Sequence, residues 1–179
     1  MAACDTKHSG PLKGAADFLK AQYISRWGIV NTARHQCIAE HMWGVWMLVS
    51  EWGPQLGLNP KDQKLAENWA LTHDLAEIRT GDCPTPFKTP EVKAALDELE
   101  QSIYPGFRVD KNTAVGAFCK FCDTAESILF LKLNGIGKHA DDVRELLCRQ
   151  MWGRLDGSCI PEEKRLLLRN LFTDTYHQL

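Results

Sequence analysis

The sequence carries no strong excess of charge of either sign. Its 179 residues include 21 lysines and arginines and 23 aspartates and glutamates, which leaves a formal net charge of -2. A chain without a net positive field has no overall electrostatic basis for holding DNA, RNA or an anionic membrane. We therefore expect no nucleic-acid or membrane partner, and we expect any phosphate group to be met by local cations or metal ions.

Long apolar runs and a leader-like N-terminus are also missing. No stretch approaches the roughly 18 consecutive apolar residues that a membrane helix needs, and no charged segment followed by an apolar run opens the chain. The seven cysteines are odd in number and scattered, without the spacing of a disulfide scaffold. These absences favour free thiols in a reducing cytoplasm.

Only one pair of cysteines is close in sequence, Cys119 and Cys122. A single C-x-x-C inside a helical pattern, with no second pair to complete a tetrahedral site, is weak evidence for zinc or redox chemistry. Two buried cysteines on one helix face explain the pair better.

Sustained β alternation, internal repeats and low-complexity tracts are absent, whereas apolar residues recur at helical spacing in several segments. One such helix is expected from His35 to Trp52, with Gly53-Pro54 as its stop. Another opens with Asn59 as N-cap and Pro60 as its first residue, and is expected to continue to about residue 79. We predict a single all-α domain of six to eight helices over residues 12–179, after a loose tail over residues 1–11.

The adjacent residues His73 and Asp74 are the most informative feature of the chain. On a continuous helix His73 and Glu77 would share one face, while His41 and Asp123 lie in two other apolar helical patterns. A single histidine in such a helix is more often a hydrogen-bonded core residue, but a buried carboxylate beside a histidine needs compensation, which a metal provides. Two imidazoles and two carboxylates suit Mn, Fe, Co, Zn or Mg.

The order His41, His73-Asp74, Asp123 resembles the H...HD...D signature of the HD-domain metal-dependent phosphohydrolases. The resemblance extends to Arg26-Trp27 and to the run HD-x-x-E-x-x-x-G-D-x-P-T-P that begins at His73. It spans residues 20 to 135, and it is closer still to the bacterial 5'-deoxynucleotidases.

This resemblance implies one divalent metal ion, whose identity the residues leave open among Co, Mn, Zn and Mg. It implies that Glu77 activates or positions the attacking water, with Asp82 supporting it or a second ion. The metal ligands that it implies are two histidines and two aspartates: His41, His73, Asp74 and Asp123.

The same resemblance implies a site for a small deoxynucleotide. Trp27 would stack on the base, with Ile29 and Pro86 as apolar walls of the base pocket. Three cations would neutralise the charge of the phosphates: Arg26, Lys88 and Lys120.

Two enzymatic interpretations compete. The run from Arg26 to Ile29, together with Pro86, is similar to the phage dATP triphosphohydrolases, which deplete dATP in phages that use 2-aminoadenine. Such an enzyme would act in the host cytoplasm, and walls near C2 would reject the bulkier base. The alternative is a 5'-deoxynucleotidase that releases phosphate from deoxynucleoside monophosphates. A non-catalytic HD-like module is disfavoured because every motif position is filled, and the resemblance implies a homo-oligomer, either a dimer or an assembly of dimers.

Overall fold

The computed structural model describes residues 11–84, 88–106 and 108–179. Within these ranges the chain forms eight α-helices and no strand, so the predicted all-α fold of six to eight helices is confirmed. The expected tail over residues 1–11 lies outside the described ranges except for Pro11. The helices are α1 (Ala15–Phe18), which continues as a 3-10 helix over Leu19–Tyr23, α2 (Ile38–Gln55), α3 (Pro60–Ala70), α4 (Glu77–Thr80), α5 (Pro90–Ile103), α6 (Ala114–Asn134), α7 (Gly137–Asp156) and α8 (Glu162–Gln178).

The core is built around α6, which contacts α2, α3 and α7. Apolar residues lie on most sides of α6, as is typical of a helix that is surrounded by others. Cys119 and Cys122 are fully buried there, which confirms that they are core residues, and burial raises the pKa of the Cys119 thiol to about 12. None of the helices in the described ranges is long and apolar enough to cross a membrane.

The end of α2 differs from the prediction. Pro54 was expected to stop this helix, but it lies inside the last turn, and α2 ends at Gln55. A proline removes only one backbone hydrogen bond there, and the chain leaves the helix at Gly57, whose φ of 69° is left-handed. A Cβ at Gly53 would overlap Oε1 of Gln63 on α3, so a larger residue at this position would require the Gln63 side chain to shift.

The helix expected over residues 59 to 79 is interrupted, so that prediction is wrong. It begins as expected, with the Asn59 side chain accepting a hydrogen bond from the backbone N–H of residue 62 at 2.9 Å. However, α3 ends at Ala70, residues 71–76 form turns, and α4 begins only at Glu77. His73 and Glu77 therefore do not share the face of one continuous helix.

The side chain of His73 makes a local contact at this interruption. Its Nδ1 donates to the carbonyl oxygen of Ala70 at 3.0 Å. The backbone then closes three-residue turns, for example from Leu75 N to Thr72 O at 3.2 Å. The break holds the histidine between α3 and α4, where its ring also stacks on Trp69 at 4.3 Å between centroids.

Candidate functional site

The site forms where α2, α6 and the turn between α3 and α4 meet. His41 comes from the buried face of α2 and is itself completely buried. Its Nδ1 lies 2.5 Å from Oε2 of Glu126, and its Nε2 lies 3.0 Å from Oδ1 of Asp123. Because a carboxylate accepts only, Nδ1 carries a proton toward Glu126 and Nε2 is the atom left for a ligand.

His73 presents the second imidazole in the same way. Since Nδ1 donates to a backbone carbonyl, Nε2 carries the lone pair, and it lies 3.4 Å from Oδ1 of Asp74 and 3.7 Å from Oδ1 of Asp123. This buried Nε2 has no hydrogen-bond partner within the described ranges. A buried polar atom without a partner is rare unless something else binds it.

These atoms fit a divalent metal ion. His41, His73 and Asp123 each offer one ligand atom, and these three atoms lie within 4.8 Å of one another. Asp74 lies beside the group, with Oδ2 3.6 Å from Nε2 of His41. A mixed set of imidazole and carboxylate ligands is suited to Zn and the other divalent transition metals. His41, His73 and Asp123 are therefore positioned to hold a divalent ion, whose identity stays open.

The charges around His41 and Asp123 favour a positive charge between these two side chains. For His41, burial and the Arg26 charge work against protonation, but hydrogen bonds to Asp123 and Glu126 outweigh them and raise the pKa of the imidazole. For Asp123, burial opposes ionisation, yet the Lys120 charge and the hydrogen bond from His41 hold its pKa well below the usual value. Nε2 of His41 and Oδ1 of Asp123 would repel each other without a cation between them, and a metal can replace the proton there.

Glu77 is buried at the start of α4, close to the same centre. Burial, followed by the charges of Asp74 and Asp82, raises the pKa of Glu77 to about 9. Its Oε2 has no hydrogen-bond partner in the described part of the chain. Asp82 is partly buried two residues after α4 and acts on Glu77 through its charge. Glu77 thus lies near the candidate ligand Asp74, and Asp82 lies near Glu77, while the catalytic roles of both carboxyls stay predictions.

The three predicted cations lie in different surroundings. The Lys120 side chain is 48% exposed, and its Nζ lies 2.5 Å from Oδ2 of Asp123, the oxygen that does not face His41. Lys88 is exposed, and its charge lowers the pKa of Glu77 against the larger opposing effects. Arg26 is only 14% exposed and contacts protein groups, among them Oε2 of Glu126 at 3.5 Å. Their contribution to phosphate binding stays a prediction.

The predicted base pocket is described in part. Trp27 is half-buried, and its ring stacks on Phe130 with centroids 5.9 Å apart and planes 2° apart. Ile29, two residues further along the loop, is 43% exposed. Pro86 lies outside the described residues. Trp27 and Ile29 are therefore available on the same loop, and their contact with a base is a prediction.

Two residues of the site were missed by the sequence analysis, namely Glu126 and Gln36. Glu126 is three residues after Asp123 and so lies on the same side of α6, inside a run that is otherwise mostly apolar. That spacing is a signal that could have identified it. Gln36 precedes α2 in a loop and is buried, and no pattern in the sequence distinguishes it.

Comparisons with known proteins agree with this geometry. A model of the HD domain family matches residues 16–109. The chain is 51% identical over 148 residues to the dATP triphosphohydrolase of Cyanophage S-2L, covering 81% of this chain and 85% of that protein. It is 36% identical over 135 residues to the dATP triphosphohydrolase of Salmonella phage PMBT28, covering 70% of each.

A solved structure gives the same result. The HD phosphohydrolase DatZ of Cyanophage S-2L, bound to dA and one catalytic Zn2+ ion, aligns with a TM-score of 0.85 at 43% identity. The alignment covers 94% of this chain and 99% of that one. With its two histidines and its aspartates gathered at one centre of an all-α fold, the chain belongs to the HD domain family of phosphohydrolases.

Proposed function

We propose that this chain is a metal-dependent hydrolase that converts dATP to deoxyadenosine and triphosphate. The observation that carries the proposal is the similarity to the dATP triphosphohydrolase of Cyanophage S-2L at 51% identity over 85% of that protein. The neighbouring structure with dA and Zn2+ supports a nucleoside site beside a metal. In this chain, two histidines and one aspartate are positioned for a metal, which supports the same assignment.

In the proposed reaction, water attacks the α-phosphorus of dATP, the bond from that phosphorus to O5' breaks, and O5' takes up a proton. A bound divalent ion lowers the pKa of water and polarises the phosphoryl oxygen. We propose His41, His73, Asp74 and Asp123 as its ligands. With a pKa of about 9, Glu77 would hold a proton at neutral pH. We propose that the charge of a bound divalent ion would lower this pKa, so that the Glu77 carboxylate accepts a proton from the attacking water and passes it to O5', with Asp82 supporting Glu77 through its charge.

We propose that the cations divide their work by position. Lys88 is exposed near Glu77, so it is free to meet the outer phosphates as a point charge. Lys120 keeps Asp123 oriented and lends its charge to the same centre. Arg26, which lies behind His41 against Glu126, contributes charge from a mostly buried position.

We propose that the base pocket selects adenine over 2-aminoadenine. Trp27 offers the stacking face, and Ile29 and Pro86 would form walls near C2 that leave no room for a 2-amino group. An enzyme with this preference would deplete dATP and spare the 2-amino analogue, which suits a phage that replaces adenine by 2-aminoadenine. The test is the ratio of kcat/KM for dATP to kcat/KM for its 2-amino analogue, which Ile29→Ala should reduce about tenfold.

The decisive experiment is product analysis of the purified protein with Zn2+, Co2+ or Mn2+, offered dATP and dAMP in parallel reactions. Deoxyadenosine together with intact triphosphate from dATP would support the proposal. Inorganic phosphate from dAMP, with dATP left untouched, would refute it and make the protein a 5'-deoxynucleotidase. The variant Asp74→Ala serves as the control for contaminating phosphatases.

We further propose that the enzyme acts on free nucleotides rather than nucleic acid, in the host cytoplasm, as a dimer or an assembly of dimers. The net charge of -2 supports the first point. Trp43, which is 60% exposed, and Met47, one turn further along α2, form an apolar surface suited to an interface. Light scattering at micromolar concentration tests the assembly, and a monomer would contradict it.

A further inference from the structure

A continuous set of hydrogen bonds joins Trp27 to the metal ligand His41. Nε1 of Trp27 donates to Oε1 of Gln36 at 2.8 Å. Nε2 of Gln36 donates to Oε1 of Glu126 at 2.6 Å. Oε2 of Glu126 then accepts from Nδ1 of His41 at 2.5 Å. Two residues without an assigned role, Gln36 and Glu126, therefore connect the predicted base pocket to the candidate metal site.

The direction of every bond in this set is fixed by chemistry. An indole N–H can only donate and a carboxylate can only accept, so the Gln36 amide must place its oxygen toward Trp27 and its nitrogen toward Glu126. Arg26 strengthens the same orientation, since its NH1 lies 3.3 Å from Oε1 of Gln36. The carboxylate in turn selects the form of His41 that has its lone pair on Nε2.

The surrounding chain is shaped to hold this set. Gln36 is 2% exposed, and a buried amide whose oxygen and nitrogen are both hydrogen-bonded is costly to disturb. Gly44 on α2 leaves room for Glu126, because a Cβ at Gly44 would lie 2.8 Å from Cγ of Glu126. Trp27 has a φ of 65°, a left-handed conformation that is strained for a bulky side chain. Such strain persists only where surrounding contacts enforce it, as Gln36 and the ring of Phe130 do here.

We propose that Gln36 and Glu126 are a pair of positioning residues, which fix the ligand form of His41 and the conformation of Trp27 at the same time. Neither residue needs to touch the substrate. Their effect on Trp27 matters for substrate binding, and that part rests on the proposed function. Their effect on His41 concerns metal binding and is independent of which nucleotide is cleaved.

The test exchanges the two side chains. In Glu126→Gln alone, the new amide either turns its N–H donors toward the N–H donors of Gln36 or leaves Nδ1 of His41 without an acceptor. In Gln36→Glu alone, two carboxylates face each other at a position where an amide nitrogen and a carboxylate oxygen are now 2.6 Å apart. The double variant Gln36→Glu/Glu126→Gln restores the sequence of donors and acceptors, since a carboxylate at position 36 accepts from both neighbours. It also keeps the net charge of the wild type.

The primary measurement is the affinity for Zn2+ by competition with a chelating dye, with the thermal unfolding of the metal-free protein alongside. Each single variant should bind Zn2+ at least about tenfold more weakly. The double variant should return to within about threefold of the wild type, because its hydrogen bonds are complete. The KM for dATP should rise in Gln36→Glu and recover in the double variant.

Gln63→Glu is the matched control. Gln63 lies on α3 and donates to Oε1 of Glu67 at 2.9 Å, so this variant also brings two carboxylates together, away from the candidate metal ligands. It should lower thermal stability and leave the affinity for Zn2+ unchanged. If it weakens Zn2+ binding as much as Gln36→Glu does, the effect is general destabilisation and the proposal is overturned.

The outcomes separate this proposal from the proposed function. The proposal is overturned if the single variants bind Zn2+ like the wild type, or if the double variant binds Zn2+ no more tightly than the weaker single variant. If a single variant fails to fold, the double variant alone is compared with the wild type. A Zn2+ affinity within threefold, or about 0.6 kcal/mol, then supports the proposal, and a weaker affinity overturns it. Absence of dATP hydrolysis in the wild type would refute the proposed function while the Zn2+ titrations still test the pair.

Discussion

Replacement of Gly44 by alanine should weaken metal binding without touching a metal ligand. Gly44 lies one turn after His41 on α2, and an added Cβ would lie 2.8 Å from Cγ of Glu126. Because carbon atoms in ordinary contact are about 3.5 to 4.0 Å apart, Glu126 must retreat by about 0.7 to 1.2 Å. Its 2.5 Å contact with Nδ1 of His41 would then approach or exceed the usual limit of about 3.2 Å.

Two opposing contributions set the stability of this variant. Alanine in place of glycine inside a helix contributes about 1 kcal/mol, whereas loss of a hydrogen bond to a charged group costs about 1.5 to 3 kcal/mol. We therefore expect the metal-free Gly44→Ala variant to be less stable than the wild type by about 0.5 to 2 kcal/mol. The affinity for Zn2+ should fall about 10- to 100-fold, which is typical when the partner of a metal-binding histidine is lost.

Gly153→Ala provides the matched control. Gly153 lies inside α7, and a Cβ there would meet no atom within 4 Å. This variant should gain about 1 kcal/mol, which raises Tm by about 2 to 4 °C for a chain of this size, and should bind Zn2+ like the wild type. Thermal unfolding and competition with a chelating dye measure both quantities. If Gly44→Ala gained the same Tm and kept its Zn2+ affinity, the described packing of Glu126 against α2 would be wrong.

Three further outcomes are expected. Asp74→Ala should lose bound metal and turnover while its far-UV circular dichroism stays helical; metal retained at one ion per chain would show that Asp74 is not a ligand. Trp27→Ala should raise the KM for dATP about tenfold, because stacking on a base contributes about 1 to 3 kcal/mol, with little change in metal affinity; an unchanged KM would make Trp27 a packing residue only. Burial raises the pKa of Cys119 to about 12 and that of Cys122 well above its usual value. In the folded protein both thiols should therefore resist iodoacetamide at pH 8, while exposed Cys159 reacts. Mass spectrometry of the peptides identifies the labelled cysteines, and labelling of Cys119 or Cys122 would contradict the prediction.

Helix positions followed from the sequence wherever local signals decide them. Asn59 caps α3 and Pro60 is its first residue, both as expected. Apolar spacing and caps are local properties, so one segment is sufficient to read them. The prediction was wrong where apolar spacing continues past the end of a helix. The spacing continues to about residue 79, whereas α3 ends at Ala70 and α4 begins only at Glu77, because apolar spacing reports which positions are buried and not whether the backbone hydrogen bonds continue.

The motif identified the family and, with it, candidate metal ligands that are far apart in the chain. His41 and Asp123 are 82 positions apart and their side chains lie 3.0 Å apart. The resemblance supplied that proximity, because composition and spacing alone cannot place two helices side by side. The roles proposed for Glu77, Asp82 and the three cations remain predictions.

The sequence by itself determined the helical class, the HD domain family and the order of the candidate ligands. Only the tertiary structure decided which groups support them. Glu126 and Gln36 are polar residues whose meaning depends on what lies within hydrogen-bonding distance, and that distance is set by the packing of α6 against α2 through Gly44. Hydrogen bonds act over a few ångströms and depend on direction, so partners from separate segments become defined only when the chain is folded.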